Sequence, residues 1–200
     1  MSAKTIDYYF TPMSPWAYLG HERFAAIAKK HGAHIEVKPV DYGRIFPVSG
    51  GLPLAQRPKQ RQAYRLFELQ RWREFLNVPL NIKPKHAPVP TELAARLIIA
   101  ADMKELNAMA LSLAIHQAIF VQERDISDPD TLKAICAEHG RKPDFLWEAE
   151  QNEETKKRYD AYTQEAIDRQ VFGAPTYIYK DEPFWGQDRL DFLDRALAKG

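Results

Sequence analysis

Thr11-Pro12-Met13-Ser14-Pro15-Trp16-Ala17-Tyr18-Leu19-Gly20 is the stretch on which the fold turns. It follows a short run of alternating β-formers, Thr5-Ile6-Asp7-Tyr8-Tyr9-Phe10, which reads as a strand. It opens a helical pattern from Pro15 to His31, with Leu19, Phe24, Ile27 and Ala28 inward and Gly32 placed to stop it. Ser14 reads as the N-cap and Pro15 as the first helical residue. The serine oxygen can accept from an orphan helix N–H, and proline has no N–H to leave unpaired there. A strand feeding a capped helix N-terminus is also a place where an anion is welcome.

Working outward, His34-Ile35-Glu36-Val37-Lys38 alternates and reads as a second strand. Strand, helix and strand in so short a span form a βαβ unit, so the two strands should run parallel. The strand signal then vanishes until Pro175. Arg44 to Pro58 is expected to be a Gly/Pro-punctuated loop, followed by a helix from Pro58 to Leu76 and a proline-rich connection from Pro79 to Pro90. Helical patterns follow over Thr91–Lys104, Glu105–Glu123, Asp128–Gly140 (Asp128 capping before Pro129), Asp144–Ala149 and Glu153–Gln170. Strands return at Pro175–Tyr179 and Pro183–Trp185, joined by a turn at Lys180-Asp181-Glu182, and a last helix is expected over Gln187–Ala198.

The order is therefore βαβ, a helical block, then ββα. Neither end piece can bury a core alone. Together they make an α/β unit, a four-stranded mixed sheet with helices on both faces, from residues 1–44 and 170–200. Residues 45–169 would be an all-helical insertion.

Composition narrows the function. With 28 basic and 27 acidic residues the net charge is +1, which argues against a nucleic-acid partner. No apolar run approaches the roughly 18 residues of a membrane span. Met1-Ser2-Ala3-Lys4-Thr5-Ile6 lacks the apolar stretch of a secretory signal. The sole cysteine, Cys136, lies on an apolar stripe and reads as a core thiol, and no intramolecular disulfide is possible. These features point to the cytoplasm. The histidines are scattered: His116 and His139 have no ligand-type partner at helical spacing, so no metal is expected. Trp72 and Trp147 read as core residues.

The element order resembles the thioredoxin-like fold with a helical insertion. In thiol oxidoreductases of that fold a Cys-x-x-Cys starts the first helix; here Ser14-Pro15-Trp16-Ala17 stands there. The fold also carries a cis proline before its third strand, which would be Pro175. More closely, the chain resembles the 2-hydroxychromene-2-carboxylate isomerases and the related kappa-class glutathione transferases. The blocks that carry this are Ser14–Gly20, Leu69-Gln70-Arg71-Trp72, Val171-Phe172-Gly173-Ala174-Pro175-Thr176 and Phe184-Trp185-Gly186-Gln187-Asp188-Arg189-Leu190, in order along nearly the whole chain. It departs from the family in having Ala17 where a second serine is common.

The resemblance implies a borrowed thiol. Glutathione would be the cofactor, with Ser14 donating a hydrogen bond to its thiolate. Ala174, before Pro175, would pair with the cysteinyl backbone. Gln187 and Asp188, at the start of the last helix, would hold the γ-glutamyl end. A base near the start of the Pro58–Leu76 helix, Lys59 or Arg61, would hold the glycyl carboxylate. The substrate would be a small aromatic carboxylate, and the assembly a homodimer. Two other readings stand beside isomerisation: a kappa-like transferase or peroxidase acting on other electrophiles, and a glutathione-binding protein without catalysis. Taken singly, Ser14 can be a helix cap and no more, and Asp188 can simply pair with Arg189.

Overall fold

A computed structural model describes residues 4–140, 142 and 144–200. The start of the N-terminal segment read for a secretory signal, Met1 to Ala3, lies outside the described residues. Four strands, β1 (Thr5–Phe10), β2 (His34–Pro39), β3 (Thr176–Tyr179) and β4 (Glu182–Trp185), form one sheet in the order β2-β1-β3-β4. β1 pairs parallel with β2, Thr5 opposite His34 through Phe10 opposite Pro39. It pairs antiparallel with β3, Tyr8 opposite Tyr177, and β3 pairs antiparallel with β4. The sheet is mixed, as the βαβ…ββα order requires.

β1 is central, and its side chains alternate between two buried faces. Ile6, Tyr8 and Phe10 enter the main core, where Tyr8 stacks on Phe10 with ring centroids 4.4 Å apart and on Tyr177 at 5.4 Å. Tyr9 enters a second cluster on the opposite face with Val40, Ile45, Ala166 and Ile178. Two buried faces explain the aromatic and β-branched content of so short a strand. The proline of β4, Pro183, sits on an edge strand, where a missing N–H costs least.

The helices are α1 (Pro15–Lys30), α2 (Tyr42–Ser49), α3 (Lys59–Leu76), α4 (Glu92–Met103), α5 (Ala108–Phe120), α6 (Pro129–Glu138), α7 (Phe145–Gln151), α8 (Glu153–Asp168) and α9 (Leu190–Lys199). The main core runs from the sheet through α1, α4, α5, α6 and α9. Cys136 is buried on α6.

Four expectations are corrected. Arg44–Pro58 is not all loop: α2 forms despite Pro47, because Asp41 caps it through Gly43 N–H at 2.7 Å and Tyr42 and Ile45 are buried. The turn after β3 has two residues, Lys180 and Asp181, both at positive φ, which leaves Glu182 in β4. The last helix begins as a single 3-10 turn over Gln187–Arg189 before α9. Trp147 is 62% exposed rather than core, since α7 presents Phe145, Leu146 and Ala149 inward.

A partly buried ion network ties the sheet to α8. Lys38 reaches Asp7 at 2.7 Å and Glu165 at 2.8 Å, Arg169 also pairs with Asp7, and Tyr9 donates to Glu165 at 2.7 Å. Burial works against the charged Asp7, but hydrogen bonds from Lys38 and Arg169 outweigh it and hold the carboxyl below its usual range.

Candidate active site

The site lies where β1 ends and β3 begins. Because Tyr9 faces Thr176 in antiparallel register, the chain leaving β1 toward Ser14 and the chain entering β3 through Pro175 meet at the same end of the sheet. Ser14 is 6% exposed and caps α1, its Oγ accepting from the Ala17 N–H at 3.1 Å. An acceptor bond of this kind leaves the hydroxyl proton for another partner.

The Ala174–Pro175 bond is cis, as the resemblance implied. A second cis bond, Ala87–Pro88, was not foreseen. Two contacts fix the segment before β3: Tyr42 of α2 donates to the Gly173 carbonyl at 2.8 Å, and the Gly186 N–H donates to the Pro175 carbonyl at 2.8 Å. Gly186 has φ 98°, a conformation that favours glycine, and lets the chain turn from β4 into Gln187.

A pocket of about 520 Å³ opens here. Trp16 lines it from α1, Ala174 from before the cis proline, Trp185 from the end of β4, and Gly186 to Arg189 from beyond it. Arg57, Gln60, Arg61, Tyr64, Arg65, Glu68 and Trp72 complete the wall from α3 and the residues before it.

The expected residues fall into two groups. Ala174, Gln187, Asp188 and Arg61 line one pocket. Ser14 and Pro175 are buried and do not line it themselves, but Trp16 and Ala174 beside them do. Lys59 is exposed and outside the lining, so of the two bases it is Arg61 that faces the pocket. Gln187 is 1% exposed, and its side-chain oxygen accepts from Arg23 at 2.8 Å. Asp188 pairs with Arg189 at 3.2 Å.

Arg57 and Arg65, which stand out in the sequence as part of a local excess of base between Lys38 and Arg65, line the pocket beside Arg61, whereas Tyr64 and the wall role of Trp72 were missed. A signal was present: Arg61, Arg65, Glu68 and Trp72 recur at three- and four-residue steps and so share one face of α3, while Arg57 stands in extended backbone just before it. The apolar residues of α3 compete with that signal, yet Leu69 is the one that α3 buries.

The electrostatics suit an anion. Burial, and then the Arg57 charge, lower the Arg65 pKa from its ordinary value, so both act against a second guanidinium there. A bound carboxylate would relieve that. Among the described residues no group of three or more His, Cys, Asp and Glu side chains could hold a metal ion. No described helix is long and apolar enough to cross a membrane.

A family profile described as a DSBA-like thioredoxin domain matches residues 5–198. The chain belongs to that family. Within the DsbA-like family its relatives include a 2-hydroxychromene-2-carboxylate isomerase of Sphingobium xenophagum, 30% identical over 97% of this chain and 98% of the relative. A glutathione S-transferase kappa 1 of Caenorhabditis elegans is 24% identical over 97% of this chain and 91% of the relative. A solved 2-hydroxychromene-2-carboxylate isomerase structure superposes with a TM-score of 0.78 at 26% identity, covering 98% of this chain and 95% of that one. This DsbA-like chain is thus a member of the 2-hydroxychromene-2-carboxylate isomerase group, with the kappa-class transferases as kin.

Proposed function

We propose that this chain is a glutathione-dependent isomerase that interconverts 2-hydroxychromene-2-carboxylate and trans-o-hydroxybenzylidenepyruvate in aromatic, naphthalene-type catabolism. The observation that carries the reading is the pocket itself. It joins the residue before a cis proline, the turn at Gln187–Asp188, the aromatic after a serine-capped helix start and a row of arginines. The donor set matches glutathione, which has carboxylates at both ends and one ammonium: guanidinium groups stand on the α3 wall, and the Asp188 carboxylate stands on the other side.

Glutathione, when bound, would supply a thiolate able to add reversibly to the conjugated system of the substrate, permitting rotation about the former double bond, and to leave unchanged. The chain's own residues prepare that chemistry. Ser14 holds its hydroxyl at the polarised start of α1 and donates to the thiolate, a charge-assisted bond of roughly 1.5–3 kcal/mol. Ala174 offers its backbone to the cysteinyl unit. Arg61, reinforced by Arg57 and Arg65, takes the glycyl carboxylate. Asp188 takes the γ-glutamyl ammonium, and the backbone at 187–188 takes its carboxylate, because the Gln187 side chain is committed to Arg23. Trp16, Tyr64, Trp72 and Trp185 supply aromatic faces against which an aromatic substrate can pack. We place the enzyme in the cytoplasm, as a homodimer.

Adding hydroxychromene carboxylate with and without glutathione, and following absorbance, tests the reading. Turnover that requires glutathione supports it; turnover without glutathione refutes the cofactor role. The kinship to kappa-class transferases supports a second reading, conjugation to other electrophiles, which a chlorodinitrobenzene assay separates. Glutathione binding with no turnover in either assay would leave a binding protein.

A further inference from the structure

Arg23 has no place in the proposed chemistry, yet its side chain is joined to the site. It stands on α1, outside the residues that line the pocket. Its guanidinium donates to the Gln187 side-chain oxygen at 2.8 Å, and Gln187 is almost wholly buried. One turn earlier on the same helix, Gly20 lets the two segments approach. A Cβ there would stand 2.7 Å from the Gln187 Cβ and 3.1 Å from the Tyr177 hydroxyl. The far side of the turn is tied to the cis proline through Gly186 N–H to Pro175 O. Gln187–Arg189 is a single 3-10 turn with no side-chain cap, so it has little rigidity of its own.

We propose that Arg23 is a positioning residue: by holding Gln187 it fixes the turn that presents Asp188 and the 187–188 backbone to the γ-glutamyl end of glutathione. This rests on the glutathione reading given above. Its other partner, Asp191, is 3.8 Å away and 84% exposed, and a pair of that kind contributes little. The bond to Gln187 is the one that counts, because a buried amide oxygen left without its charged donor is costly.

The test compares Arg23→Ala, Arg23→Lys and Asp191→Asn with the parent protein. Glutathione affinity is read by tryptophan fluorescence, turnover by kcat and KM, and the Gln187–Arg189 amides by hydrogen exchange. A hydrogen bond to a charged group is worth about a tenfold or more, and a residue acting at one remove passes on part of it. Arg23→Ala should weaken glutathione binding and raise its KM about 3- to 10-fold, with kcat at saturation within about twofold. Arg23→Lys should recover most of the loss. Asp191→Asn should change nothing. Unchanged affinity in Arg23→Ala would overturn the proposal, as would a kcat that falls at constant KM in step with a lowered Tm. If the parent protein binds no glutathione, the functional reading fails first, and hydrogen exchange then decides. Faster exchange of the turn in Arg23→Ala would then show that Arg23 holds the turn but overturn its role toward glutathione, and unchanged exchange would remove both.

Discussion

Ser14→Ala separates two roles that one oxygen carries. The Ser14 oxygen accepts from the Ala17 N–H at 3.1 Å, and its proton is proposed to serve the thiolate. Loss of an N-cap costs about 1 kcal/mol, within a range of roughly 0.5–2. For a chain of this size that lowers Tm by about 2–4 °C per kcal/mol. Loss of the charge-assisted donor costs roughly 1.5–3 kcal/mol of thiolate stabilisation, about a tenfold to hundredfold fall in the acid dissociation constant of the bound thiol. The assay is a pH titration of thiolate ultraviolet absorbance in the complex, run beside thermal unfolding. The thiol pKa should rise by about one to two and kcat below that pKa should fall with the thiolate fraction, while glutathione affinity changes little. Ser14→Asp isolates the second role: aspartate is a good cap but, ionised, cannot donate. It should keep more of the Tm than alanine does and still raise the thiol pKa. A Ser14→Ala protein with a lowered Tm and an unmoved thiol titration would reduce Ser14 to a cap and refute the reasoning.

Other outcomes follow from the same contacts. Arg61→Met should raise the KM for glutathione about tenfold, the scale of one charged hydrogen bond, while Lys59→Met should leave steady-state kinetics unaltered. Gly20→Ala should push Gln187 away, cost about 1–3 kcal/mol in urea unfolding and weaken glutathione binding. Acid should unfold the protein through its buried histidines. Burial lowers His21 to about 4; burial, and then its neighbour His21, lower His116 to about 3. His116 faces the Thr11 backbone, but neither ring nitrogen makes a well-formed hydrogen bond among the described residues. The unfolded chain binds these protons near pH 6.5 and the folded one only far lower, so stability is full above about 6.5 and falls as pH drops toward 4 and 3. His116→Phe should flatten that decline in pH-dependent denaturant melts. Lys38→Met should cost about 3 kcal/mol, the low end for breaking a buried pair because Glu165 keeps some solvent. It should also remove one of the two hydrogen bonds that hold the Asp7 carboxyl low, leaving that from Arg169, so Asp7 should titrate at a higher pH than in the parent, visible by NMR.

Some features were written locally in the sequence and could be read from it. The β1 strand, the Ser14 cap with Pro15 behind it, the parallel β1–β2 pair and the β3–β4 hairpin depend on residues near one another along the chain. Their signals are alternation, capping and turn chemistry, and short-range sterics produce all three. The helix over 59–76 was legible for the same reason, although which of its faces meets the pocket was not.

What needed the tertiary structure was every choice made by a distant neighbour. Pro47 and the glycines around it spell a loop, yet burying Tyr42 and Ile45 against β1 and α8 makes a helix there. Lys59 and Arg61 are equal in charge and two residues apart; the rotation of α3 against the rest of the fold sends one to solvent and the other to the pocket. Gln187 reads as a ligand contact, but Arg23, 164 positions away, takes its side chain. Sequence fixes which groups a residue can offer, while burial and hydrogen-bond partners, which only the folded chain brings within reach, settle which of those offers is taken.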